Sequence, residues 1–445
     1  MIKEKSFFRT VCALAVPVAL QSMLQASFSI IDQIMIGQLG SVSVAGVGLA
    51  GKFSSVFSVL VSAVGAVAGI MIAQYLGQKN KREVSRSFFI NLALALGFAG
   101  IFTVLCLALP RQIMGLYTQD AETAAAAADY LSVISGTFIP LAGATLLSAF
   151  YRCIEKASLP LYAGIAAAIL NTGLNYILIF GKLGFAPMGA QGAAIATVIS
   201  QAVNVLIMLL LMIKYKDSLK KGNRQERTPF NLRQYAVMLM PVLVCEFLWS
   251  LGENVYSVIY GHLGTEACAA MTLINPIQGL MIGALCGLSQ AAGVIIGKRL
   301  GEKNFDSAYS ASKRLILYGF IGSAVLSVLI ALTSALYVEL YQVEDTVKLL
   351  TRQILLAYAI IAPFKVLNMI VSGGIIRSGG KTKYVMMIDL IGTWCFGVPL
   401  GLLAAFVFNL SIPYVYFILS LEECIRFGIS IIVLRRKKWM QSLEA

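Results

Sequence analysis

Apolar runs of twenty or more residues recur from one end of this chain to the other. A helix needs roughly 20 such residues to cross a bilayer, so the runs dictate the element length. From Val11 to Ile36 the only charge is Asp32. With 58% of its residues apolar and 13% charged, the chain reads as an all-α integral membrane protein. Breaks at charges, Gly and Pro divide it into twelve expected spans: 11–36, 44–76, 88–109, 126–151, 159–181, 190–214, 233–261, 268–300, 313–337, 348–376, 383–409 and 411–434. Several are longer than a span needs, which predicts tilt or extension beyond the bilayer. No A-x-A pattern follows the basic start, so the first span is expected to stay as an uncleaved anchor.

The net charge of +14 would suit a nucleic-acid partner if it were clustered on one face, but it alternates between loops. Of the 35 Lys and Arg, 28 fall in segments on the side of the N-terminus, four on the other side, and Lys52, Lys365 and Arg426 inside spans. The positive-inside rule then puts both termini in the cytoplasm, with the basic loops against lipid headgroups and no nucleic acid required. The resulting expectation is a multi-pass protein of a bacterial inner membrane. The in-span cations, Lys52 and Lys365 in particular, are expected to snorkel or to pair with acids.

The two halves repeat. Shifted by 224, residues 17–80 fall on 241–304 without a gap and with 15 identities, among them "GQLG" on "GHLG" and "LGQKN" on "LGEKN". Six spans per half means that both halves enter from the same side. The expected fold is two parallel six-helix bundles related by a pseudo-two-fold axis along the membrane normal. Residues 1–213 form one lobe, 214–232 a basic linker and 233–445 the other lobe, in a chain that needs no second copy.

Against this apolar background a few polar residues stand out. Ser22, Gln25, Ser29 and Asp32 are spaced 3, 4 and 3, one stripe of the first span that must face protein or water. Asp32 has no Lys or Arg within four residues. Counted from the span ends, Asp32, Asn175 and Thr197 all lie roughly 7 to 11 Å inside the outer boundary, with Asn171 one turn deeper. Such a set offers oxygen ligands for a proton or for Na⁺ at Asp32, Asn171, Asn175 and Thr197, while helix bridging by the Asn amides stays open. The seventh span carries its own stripe of Glu246, Ser250, Glu253 and Ser257. Glu246 and Glu253 fall on Ser22 and Ser29 at the offset, and Tyr256 falls on Asp32. Asp389, six residues after Lys383, sits where a helix N-terminus or that Lys can stabilise it. Glu422 and Arg426 read as an i, i+4 ion pair, and Gln290 as a cavity-lining or capping residue. The eight Cys read as small core residues.

No Walker A, GxSxG or HExxH pattern occurs and there is one His, which removes ATP-driven work and most catalysis. An ion gradient, H⁺ or Na⁺, is left as the energy source, with no other cofactor. An intramembrane enzyme fits poorly, for want of a nucleophile and base. A flippase for a pyrophosphate-linked lipid would want a cationic cavity, whereas the in-span acids Asp32, Glu246, Glu253, Asp389, Glu422 and Glu423 outnumber the three cations.

At "IIDQIMIGQLG", "LGQKN", "LGEKN", "IYGHLGTEACAA", "GAQGAAIATVIS" and "IRSGGKTK" the chain resembles the MATE (multidrug and toxic compound extrusion) family of bacterial efflux transporters. The resemblance implies two six-helix bundles with a cavity between them and antiport of organic cations or amphiphiles against Na⁺ or H⁺. It places the family's first-span acid at Asp32 and its partners at Asn171, Asn175 and Thr197. Some members carry a second acid where this chain has Asn175, a departure that favours proton coupling. A seventh-span Glu takes part in other members, a role open to Glu246 or Glu253. A substrate cavity is implied along Gln25, Ser29, Tyr256 and Gln290.

Overall fold

The computed structural model describes residues 2–215, 232–341 and 343–443, and these are helical nearly throughout. The helices are α1 Ile2–Gly37, α2 Ser41–Gly77, α3 Lys81–Ala108, α4 Pro110–Gly115, α5 Ala121–Ile134, α6 Phe138–Cys153, α7 Ser158–Phe180 and α8 Gly189–Lys214. After them come α9 Leu232–His262, α10 Thr265–Gly301, α11 Phe305–Glu339, α12 Asp345–Asn368, α13 Thr382–Asp389, α14 Val398–Leu402, α15 Ile412–Ser420 and α16 Glu422–Arg435. The expected linker lies, but for its ends, outside the described residues.

Eleven segments among the described residues are long and apolar enough to span a membrane. The expected twelfth is a helix interrupted at Leu421, between α15 and α16, and it opens its second half with Glu422, Glu423 and Arg426. A 3₁₀ turn at Ser135–Thr137 divides α5 from α6 just ahead of Pro140, which has no N–H for the Gly136 carbonyl. π-helical turns at Met369–Ile376 and Leu390–Gly397 interrupt the tenth and eleventh spans.

The repeated motifs do the same backbone work in both halves. The second Gly of "GQLG" and of "GHLG" takes a left-handed conformation, φ 92° at Gly40 and 108° at Gly264, where a Cβ is disfavoured. In "LGQKN" and "LGEKN", Lys79 and Lys303 are left-handed at φ 57° and 56°. The Asn side chains that follow cap the next helix. Asn80 Oδ1 accepts from the Glu83 N–H at 3.2 Å, and Asn304 Oδ1 from the Ser307 N–H at 3.1 Å.

By proximity, the chain divides into two compact units. One consists of Leu20–Ile72 and Lys79–Glu226; the other gathers Met1–Ala19, Ala73–Gln78 and Arg227–Ala445. In the first, α7 and α8 lie side by side, and Phe57, Phe102 and Phe138 stack at centroid distances of 4.4 to 6.3 Å. Asp120 caps α5 through the Thr123 hydroxyl and N–H, which hold its carboxyl below the usual range. In the second, Gly77 lies directly against the Lys298 carbonyl and Gly301 against the Gln74 carbonyl. Each member of one pair is 224 positions from its counterpart in the other, a reciprocal crossing that only the absence of Cβ allows. The C-terminal stretch docks on the same place: Gln74, fully buried, donates to the carbonyls of Ser378 at 2.7 Å and Gln441 at 3.2 Å and accepts from the Leu443 N–H at 2.7 Å.

The crossing gives a stability prediction. A Cβ at Gly77 overlaps the Lys298 carbonyl, whereas one at Gly37 meets nothing within 4 Å. Gly77→Ala is expected to lower stability by about 1–3 kcal/mol, the cost of overpacking against backbone. Gly37→Ala serves as the neutral control, and thermal unfolding in detergent reads both.

Candidate functional site

α1 ends its apolar course at Gly37, and Asp32 stands five residues before that end, half-buried. α7 brings Asn171 and Asn175, one turn apart, to the same point, and α8 brings Thr197. Asn175 Nδ2 donates to Asp32 Oδ1 at 2.7 Å and lies 3.3 Å from Asn171 Oδ1; Asn171 Nδ2 donates to Thr197 Oγ1 at 3.3 Å. Turned about its last bond, the Asn171 amide instead points Nδ2 at both Asp32 oxygens, at 3.1 and 3.2 Å. The four residues singled out from depth in the sequence therefore form one hydrogen-bonded cluster. No Lys or Arg among the described residues pairs with Asp32, whose polar partners are neutral amides.

One atom in this cluster is left over. Asn175 Oδ1 is buried and has no hydrogen-bond partner among the described residues. A buried acceptor without a donor is costly, and the same amide's nitrogen is bonded to the Asp32 carboxylate, which when ionised has no proton to give. Beside the cluster opens a cavity of about 190 Å³ lined by Gln25, Ser29, Asp32, Asn171 and Thr197, with Phe28 and Leu161 among its apolar residues. Among the described residues, its one ionisable lining residue is Asp32.

Sequence reasoning missed part of this lining, namely Gln21 on α1 and Ser200, Gln201 and Asn204 on α8. The signal was present: Thr197, Ser200, Gln201 and Asn204 follow helical spacing, a polar stripe on an apolar helix. Ser22, read as part of the α1 stripe, does not line the cavity.

The other unit binds its acids differently. Glu246 pairs with Arg377 at 3.5 Å; Arg377 lies in the helical turn after the Met369–Ile376 π segment. Asp389 is held by Arg426 and by the Cys245 thiol, and neither Lys383 nor a helix N-terminus is its partner. Arg426 also reaches Glu423 at 3.7 Å. The expected Glu422–Arg426 pair is thus replaced: Arg426 joins Asp389 to Glu423, and Glu422 accepts from the Tyr256 hydroxyl at 2.6 Å. A cavity of about 280 Å³ beside this network is lined by Glu253, Tyr256, Lys365, Glu422 and Glu423. Gln290 is exposed and lines neither cavity. Of the Cys expected in the core, Cys268 and Cys395 are exposed.

Comparisons with known proteins converge. The MatE family profile matches residues 17–177 and 241–403, two segments whose starts are 224 apart. An uncharacterized transporter, YisQ, of Bacillus subtilis is 24% identical over 455 residues, covering 98% of this chain and 96% of that protein. A probable multidrug resistance protein NorM of Photorhabdus laumondii is 25% identical over 397 residues, covering 87% and 86%. Among solved structures, a MATE in complex with MaL6 superposes with a TM-score of 0.87 at 18% identity over 96% of this chain and 95% of that one. An outward-facing MATE family multidrug resistance transporter superposes with a TM-score of 0.86 at 18% identity, over 96% of each.

Proposed function

Because the chain belongs to the MATE family, whose members are membrane transporters and not enzymes, we propose that it exports organic cations or amphiphiles in exchange for protons, with Asp32 as the coupling acid. The observation that carries the proton is the unpartnered Oδ1 of Asn175. A primary amide and a carboxylic acid are complementary: N–H to C=O on one side, O–H to C=O on the other. Asn175 already supplies the first bond, and a proton on Asp32 supplies the second. Na⁺ is the second reading, held by Asp32 with the oxygens of Asn171, Asn175 and Thr197. It has one carboxylate to neutralise it, where some family members offer two.

The cycle follows from charge. With Asp32 ionised, a cavity whose lining carries a single, negative charge attracts a cationic cargo through a poorly screened medium. A proton taken up from outside removes that attraction and closes the amide–acid pair, so the cargo leaves outward. Release of the proton inward recharges the site. A membrane potential adds about 2.3 kcal/mol per net charge per 100 mV. The same polarity speaks against a pyrophosphate-bearing cargo. Both termini lie on the cytoplasmic side of a bacterial inner membrane in this reading, the chain acts as a monomer of two six-helix lobes, and alternating access moves the opening from one side to the other.

Dye efflux from vesicles with and without an imposed ΔpH, each with and without Na⁺, is the test. Transport that follows ΔpH and ignores Na⁺ is expected; transport that requires Na⁺ and ignores ΔpH overturns proton coupling. Asn175→Asp restores a second carboxylate, and this variant is expected to gain stimulation by Na⁺ in the same assay.

A further inference from the structure

In the unit that contains Arg227–Ala445, a cleft of about 840 Å³ opens among the first turns of α9, the start of α11, the turn into α13 and the C-terminal stretch. Lys303, Lys381 and Lys383 line it, and among the described residues no Asp or Glu does. None of the three ammonium groups has an ion pair among the described residues, and Glu302 and Asp306, which flank Lys303 along the chain, are not part of the lining. Three like charges around one cleft repel each other unless an anion sits between them. The lining also includes uncovered apolar side chains: Val237 is 62% exposed, Met387 46% and Phe305 37%. Val237 and Met387 stand five residues inside the starts of α9 and α13, and Phe305 opens α11. That is roughly 0 to 8 Å from the helix ends, a position that suits the boundary between headgroups and acyl chains where those ends meet the bilayer surface.

We propose that this cleft binds one anionic phospholipid, its phosphate between Lys303, Lys381 and Lys383 and its acyl chains along Val237, Phe305 and Met387. A free phosphate would leave the apolar wall bare. A zwitterionic lipid would bring its own cation against three ammonium groups. Loops rich in Lys and Arg are common on the cytoplasmic side and attract anionic lipid diffusely, but a cleft with an apolar wall converts that attraction into a site with a stoichiometry. The leaflet rests on the topology proposed above; the occupant does not.

The test uses the full chain, delipidated in detergent and titrated with phosphatidylglycerol, phosphatidylcholine or inorganic phosphate while bound species are counted by native mass spectrometry. One phosphatidylglycerol is expected to bind at least tenfold more tightly than phosphatidylcholine. The triple variant K303Q/K381Q/K383Q loses at least tenfold of that affinity, and the triple Arg variant keeps it. Val237→Ser with Met387→Ser weakens phosphatidylglycerol binding at intact charge. Equal retention by the Gln variant, equal affinity for both lipids, or displacement by millimolar inorganic phosphate overturns the proposal. Dye efflux driven by ΔpH is read in parallel, so a failure here is distinguishable from failure of the antiport reading.

Discussion

Asp32→Asn is expected to abolish proton-driven efflux, with a loss of about 100-fold or more, while leaving the protein folded in the membrane. The amide is nearly isosteric with the carboxylate, and its Oδ1 still accepts from Asn175 Nδ2, the bond that the native Asp makes at 2.7 Å. What disappears is the only charge in the cavity lining and the only group there that exchanges a proton. A coupling of 1–3 kcal/mol corresponds to a factor of roughly 5 to 150, so removing it entirely belongs at the upper end or beyond. Transport of a cationic dye into inside-out vesicles, normalised to the amount of protein and set beside its thermal unfolding, checks both halves. Efflux at the native rate from a well-folded Asp32→Asn protein makes Asp32 a packing residue and ends the proposal that it couples.

The Asp32 cluster was legible because each of its members stands at a countable distance from a helix end. Depth along an apolar helix follows from rise per residue alone, and three helices that share a boundary bring equal depths to one level. The repeat was legible for a related reason: "LGQKN" and "LGEKN" each spell a glycine at a close crossing, a left-handed residue and an Asn cap, all local requirements. The charge network of the other unit was not. Arg426 finds Asp389, 37 residues away, in place of Glu422 one turn back, and Tyr256 finds Glu422, 166 residues away. Helical periodicity says which face a side chain occupies but not which distant helix faces it.

That network carries the second large effect. Arg426 is nearly buried, with 12% of its side chain exposed, and its two partners are as deep, Asp389 at 14% and Glu423 at 7%. Asn368 Nδ2 also donates to Glu423, at 2.8 Å, which fixes one carboxylate oxygen but leaves its charge uncompensated. Arg426→Met strands two carboxylates at once, and breaking a buried pair by removing one partner costs about 3–5 kcal/mol. Asp389→Asn costs less, because Arg426 keeps Glu423. Removing all three charges together, Arg426→Met with Asp389→Asn and Glu423→Gln, returns part of the loss, since neither carboxylate then faces a missing cation, while Glu422 and Lys365 stay charged beside the site. Glu246→Gln, at a pair that is 18% and 25% exposed, belongs nearer the 0–1 kcal/mol of solvated ion pairs. Thermal unfolding of the four variants gives that order if the network is a static support. If Arg426→Met unfolds like the native protein yet no longer transports, these charges separate and re-pair during the cycle, and the second unit shares the coupling that the Asp32 reading assigns to the first.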